Sequence, residues 1–188
     1  MKVIFITIII FFIATAIFAQ IPFGGFSTPK AFRENTPDII DSNFVLSPIA
    51  KSADPNDLDF RLEHKDERGR IRLFRKDIAV FADEKDYYVA DGTHSFGAPR
   101  FRKLTRCEKA NLSYFRRVST APAGAEGHSQ NGIIETWVIL DDKGFAVELT
   151  DKVVKQILLR TKPKLYNEYS DKNKRIGSPI DYIRKICD

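Results

Sequence analysis

Two apolar runs, Ile133 to Leu140 and Phe145 to Leu149, are parted by Asp141-Asp142-Lys143-Gly144. Glycine reaches positive φ without a Cβ clash, so polar residues closed by a glycine reverse the chain sharply, and the spacing predicts an antiparallel hairpin. In the first run Ile134, Val138 and Leu140 fall on one side, and Ile133, Trp137 and Ile139 on the other. Apolar residues on both sides of a strand place it centrally in a sheet covered on both faces.

Other segments extend the sheet. Leu58, Phe60, Leu62 and His64 alternate with polar neighbours, Asp66-Glu67-Arg68-Gly69 makes a turn, and Ile71, Leu73 and Phe74 resume the apolar pattern. Ile78 to Phe81 and Tyr87 to Ala90, split by Asp83-Glu84-Lys85-Asp86, read as a second pair. The two glycine-ended turns are alike enough to suggest a duplicated unit, yet short hairpins demand such residues independently.

Helices follow the sheet. Thr150 can cap a helix whose Val153, Val154, Ile157 and Leu158 form one stripe, ending before Pro163. Ser178 and Pro179 read as the cap and first position of another, with Ile180, Ile183, Ile186 and Cys187 on one face. Residues 99–118 can be wound as a helix, which gathers Phe101, Leu104, Cys107, Leu112, Tyr114, Phe115 and Val118 on one side. Read as strands, Leu112, Tyr114 and Val118 also alternate, and the aromatic content suits that state. With the helix taken, the expected fold is α+β: a single antiparallel sheet packed with a middle amphipathic helix and C-terminal helices, over residues 56–188. The alternative is a closed β-barrel with a C-terminal helix.

Ahead of this domain, residues 20–55 hold five of the nine prolines and little apolar periodicity. Proline lacks a donor and glycine loses chain entropy on ordering, so this reads as a flexible Pro-rich arm, part of which can dock as a strand through Ile39, Ile40, Phe44, Val45 and Leu46. Residues 1–19 have the order of a secretory leader: Lys2, then an uncharged apolar core from Val3, then small residues at Ala16 and Ala19 after which cleavage fits. A retained anchor is the other reading, although the run is short for one, and no second such run follows. The expected product is a secreted, extracellular protein without a transmembrane segment.

Loss of the leader leaves 29 Lys and Arg against 25 Asp and Glu, a net charge of +4. That is mildly basic and does not of itself indicate nucleic acid. Two cysteines remain, and an oxidising compartment favours one Cys107 to Cys187 bridge over free thiols or a bond to a partner chain. Residues 100–118 carry seven Lys or Arg and a single acid, Glu108. On the helical reading Arg102, Arg106, Lys109, Arg116 and Arg117 form a basic face, suited to a polyanion, an anionic surface or an acidic protein; a merely solvated face is the plainer reading.

Asn111-Leu112-Ser113 is an N-glycosylation sequon, whereas Asn35-Thr36-Pro37 fails at its third position. A glycan and a buried helical stripe exclude each other at Asn111. His64, His94 and His128 are the only imidazoles, and they show no metal-ligand spacing, so no metal or cofactor is expected. Lys172-Asn173-Lys174-Arg175 resembles a dibasic processing site, or an exposed basic loop. The expected role is a non-enzymatic binding protein with a basic surface. Its rivals are a carrier of a small apolar ligand, which needs a closed barrel, and a small hydrolase, which needs a convergent acid, base and nucleophile.

Overall fold

A computed structural model of the chain describes residues 20–49, 59–73, 78–93, 99–121, 132–140 and 146–188. The segment expected as a leader, residues 1–19, lies outside the described residues, as do His94, His128 and the expected Asp141 to Gly144 turn. The chain first forms β1 (Phe23–Phe26), a short helix α1 (Pro29–Arg33) and β2 (Phe44–Pro48). It continues through β3 (Phe60–Lys65), β4 (Ile71–Leu73), β5 (Val80–Asp83), β6 (Tyr87–Thr93) and β7 (Pro99–Cys107). A turn of 3-10 helix, Glu108–Ala110, leads to β8 (Leu112–Ala121), then β9 (Gly132–Leu140) and β10 (Ala146–Glu148). Three helices close the chain: α2 (Asp151–Thr161), α3 (Pro163–Ser170) and α4 (Pro179–Cys187).

All described strands belong to one antiparallel sheet, in the order β1-β5-β6-β7-β8-β9-β10, with β2, β3 and β4 branching from β7. Phe101 of β7 pairs with Ala90 of β6 on one edge and with Phe60 of β3 on the other. Farther along that second edge, Thr105 to Cys107 pair with β8. The two ladders fork from β7, and the sheet curls into an open half-barrel with helices, an α+β architecture. β1 and β10 do not pair with each other, so the closed barrel is not formed. The hairpin expected around Asp141 is present as β9 and β10, and β9 is central, between β8 and β10, with Val138 and Ile139 buried on opposite sides.

The middle amphipathic helix expected over residues 99–118 is absent; β7, the 3-10 turn and β8 occupy those residues. The turn spans four residues between Cys107 and Leu112. It puts Phe101 and Cys107 on the same side as Leu112 and Tyr114, which imitates helical spacing when the register is read straight through. Of the region expected as a flexible arm, residues 20–49 are described, and Phe44, Val45 and Leu46 dock as a strand, β2, against β3. Phe26, Phe32 and Phe44 are buried, and Gly25 accepts and donates backbone bonds to Ile39. Gly24, at φ +143, lies where a Cβ would stand 2.9 Å from the Ile39 carbonyl oxygen, so the close crossing of this segment over β1 needs a glycine.

The sheet has two covered faces. On one, Phe26, Phe32, Val80, Val89, Leu104, Phe115 and Val138 form a cluster roofed by α1. On the other, β2 and β3 pack Phe44 and Leu62 against Phe81, Tyr88 and Phe101, while the helices pack against Leu112, Tyr114 and Ile139. The Thr150 hydroxyl accepts the Val153 amide at the start of α2, as its sequence position predicts. Pro163 ends α2 and also opens α3, a helix the apolar spacing did not announce. Ser178 and Asp181 form a reciprocal capping box on α4, which buries Ile180, Tyr182, Ile183 and Ile186. That docking brings Cys187 to Cys107 with Cα atoms 5.2 Å apart, bridging the two cysteines.

Candidate functional site

The five basic residues expected on one helical face are divided by strand alternation. Arg102, Arg106 and Arg117 point to the α1 side of the sheet, Arg116 points to the helical side, and Lys109 sits in the 3-10 turn. Arg102 is buried, its side chain 7% exposed, at the fork between the β3 and β8 ladders. Its Nε lies 3.1 Å from Asp91 Oδ2 and its Nη2 lies 3.4 Å from Asp59 Oδ1. Arg117 donates from Nε to Asp91 Oδ2 at 2.8 Å and from Nη2 to Asp91 Oδ1, a bidentate grip. Asp91 holds the Arg117 guanidinium above its ordinary pKa. Arg100 adds an ion pair to Asp59 at 3.3 Å.

This cluster brings together Arg102 and Arg117 and commits both to Asp91, Arg102 buried and Arg117 with its side chain 39% exposed. Two carboxylates are shared by three guanidiniums, and the carboxylate of Asp91 is itself nearly covered. Such an assembly fixes the geometry of the three strands it joins.

The other three residues are engaged elsewhere. Arg106 stacks over the rings of Phe32 and Tyr87, 5.3 and 5.8 Å from their centroids, and donates to the Arg33 carbonyl. Arg116 pairs with Glu135 of β9 at 3.7 Å. Lys109 donates to the backbone oxygen of Asp188, beside the disulfide. Sequence spacing grouped these residues because it assumed a helix, and the sheet disperses them.

Asn111 is exposed, at φ 48°, and ends the turn between β7 and β8. His64 makes a 2.9 Å contact from Nε2 to Asp41 and belongs to the β2–β3 ladder. No group of three or more His, Cys, Asp and Glu able to hold a metal occurs among the described residues. In the dibasic stretch, Lys172 and Lys174 are exposed, but Arg175 is clamped: it donates to both oxygens of Asp151, at 2.9 and 3.1 Å, and lies 4.2 Å over Tyr169.

The cationic surface lies instead on the helical layer. Residues 149–188 contain ten Lys and Arg against five Asp and Glu, whereas residues 20–148 contain nineteen against twenty. The net positive charge of residues 20–188 therefore resides in residues 149–188. Four of the ten, Lys152, Arg160, Lys164 and Lys172, are exposed and have no hydrogen-bond or ion-pair partner among the described residues. At the α2–α3 corner Lys162, Lys164 and Lys185 surround a shallow open depression of about 630 Å³, with Pro163 and Leu165 as its floor. Leu159, 57% exposed, projects beside it from the last turns of α2.

The acids of this layer are committed to internal contacts. Asp151 ionises below the ordinary carboxylate range because Arg175 and Tyr169 bond to it. Glu168 is lowered by the Tyr182 hydroxyl and by Lys185, and Asp181 by the Ser178 cap. Those contacts stabilise the carboxylate forms, and it is the excess of ten bases over five acids that gives residues 149–188 their positive potential. A charge count taken half by half along the chain would have found this surface; a search for a dense local run found residues 100–118 instead. The chain matches no protein-family model, no curated protein and no solved structure.

Proposed function

We propose that this is an extracellular, non-enzymatic binding protein that attaches to a sulfated or carboxylated polyanion through its C-terminal helical layer. The observation that carries the reading is the segregation of charge: ten bases against five acids in residues 149–188, with Lys152, Arg160, Lys164 and Lys172 without a partner among the described residues. Exposed cations with no internal partner contribute little to folding and are available to anions spaced along a polymer. The disulfide between Cys107 and Cys187 and the leader sequence support an oxidising destination. No described helix is long and apolar enough to cross a membrane.

The test is chromatography on immobilised heparin. Replacing Lys152, Arg160, Lys164 and Lys172 together by Ala is expected to lower the salt needed for elution markedly, since such contacts are screened by ions. Arg106→Ala, placed on the far face of the sheet, is expected to leave it unchanged. Elution of the fourfold variant at the salt concentration of the parent protein rejects the proposal.

The carrier reading loses its premise, because the sheet is open and its α1 face is filled by Phe26, Phe115 and Val138.

A further inference from the structure

We infer that Asn111 carries an N-linked glycan, and that the fold requires it to be added before β7, β8 and β9 pair. The sequon itself is Asn111-Leu112-Ser113. The structure adds three observations. The Asn111 side chain is exposed at the end of a tight turn, so a bulky substituent meets no packed element there. The same residue lies on the shared rim of two clefts, both lined by Leu112 and Leu140, which the first sugars would cover. Ser113, whose hydroxyl the transferase must read, is 6% exposed and lies between Arg106 of β7 and Leu140 of β9.

The last observation fixes the order of events. The amide Nδ2 of Asn111 attacks the anomeric carbon of a lipid-pyrophosphate-linked oligosaccharide. An N–C bond forms, the C–O bond to pyrophosphate breaks, its electrons leave with the lipid pyrophosphate, and the amide gives up one proton. A transferase reaches Asn111 and Ser113 together only in an unpaired chain. Cys187 lies 80 residues beyond Cys107, so the bridge beside the turn cannot close until that length has been made and docked.

The inference rests on the leader reading and is independent of polyanion binding. The test is expression of the full chain, leader included, in a eukaryotic secretory cell, with intact mass measured before and after peptide-N-glycosidase. The expected result is secreted protein heavier than its polypeptide by one glycan, with Asn111 converted to Asp on release. Asn111→Gly keeps the left-handed turn, which glycine adopts freely, and is expected to be secreted at the bare polypeptide mass. Folded, leaderless protein offered to the transferase and lipid-linked donor in vitro is expected to remain unmodified until its disulfide is reduced and the chain unfolded. Secretion of the parent chain at polypeptide mass, its retention in the cytosol, or a glycan persisting on Asn111→Gly overturns the site. Modification of the folded protein overturns the order.

Discussion

Asp91 answers two arginines at once, Arg102 from β7 and Arg117 from β8, and so joins three strands through side chains where their ladders diverge. Removing it strands a nearly buried guanidinium. Breaking a buried pair costs on the order of 3–5 kcal/mol, and water reaches Arg117, so Asp91→Ala is expected to lower the unfolding free energy by about 2–4 kcal/mol, read from urea denaturation. Arg102→Met is expected to cost less, because it removes the buried charge together with its need for a partner. Equal losses in the two variants contradict this account. Binding to heparin is expected to survive both substitutions, since neither side chain belongs to the outward cations. None of these pairings was legible from the residue types alone. Asp59, Asp91 and the arginines lie far apart in the chain, and only the fork of β7 assembles them.

Among the elements, the helical layer has a distinctive acid response. Asp151, Glu168 and Asp181 all ionise below their ordinary values in the folded protein, through Arg175, Tyr182 and Ser178 respectively. In the unfolded chain they return to about pH 4. A depressed carboxyl adds stability that is fully present above the unfolded value and is lost as the pH falls through the folded one. Helical circular dichroism is therefore expected to stay level from neutrality to about pH 5 and to fall progressively below about pH 4. The single tryptophan, Trp137, lies 5.1 Å beneath the Arg184 guanidinium and reports loss of α4 by a change in fluorescence. A layer that loosens first on the alkaline side of pH 5 refutes the assignment. The helices were largely readable because caps are local: Thr150, Ser178 and Pro179 announce themselves by type and position. Residues 99–118 misled for an equally physical reason. A four-residue turn between two strands restores the apolar side out of phase, and a periodicity taken across it returns the helical value. Asn111, a residue that tolerates left-handed backbone, marked the break.

For the molecule as a whole, the Cys107–Cys187 disulfide ties the sheet to the last helix in addition to the backbone. Closing a loop of 80 residues restricts the unfolded chain, and replacing both Cys107 and Cys187 by Ala is expected to cost roughly 2–4 kcal/mol in the same denaturation experiment. A loss under about 0.5 kcal/mol contradicts a chain-restricting role. The overall α+β class followed from hairpin and cap chemistry, whereas the open curl and the packing of residues 20–49 did not. Those depend on which faces meet, and Gly24 and Gly25 show their purpose only beneath the crossing chain. The placement of charge has a directional consequence. Phe101, where β3 joins, and Cys107, where the helices are tied, are six residues apart on one strand, about 20 Å. On the proposed attachment through the lysines, the particle gains a top and a bottom. Among the described residues β2 and β4 each pair only with β3, and that attachment would turn their exposed Val45 and Ile71 toward the medium, oriented for whatever arrives next.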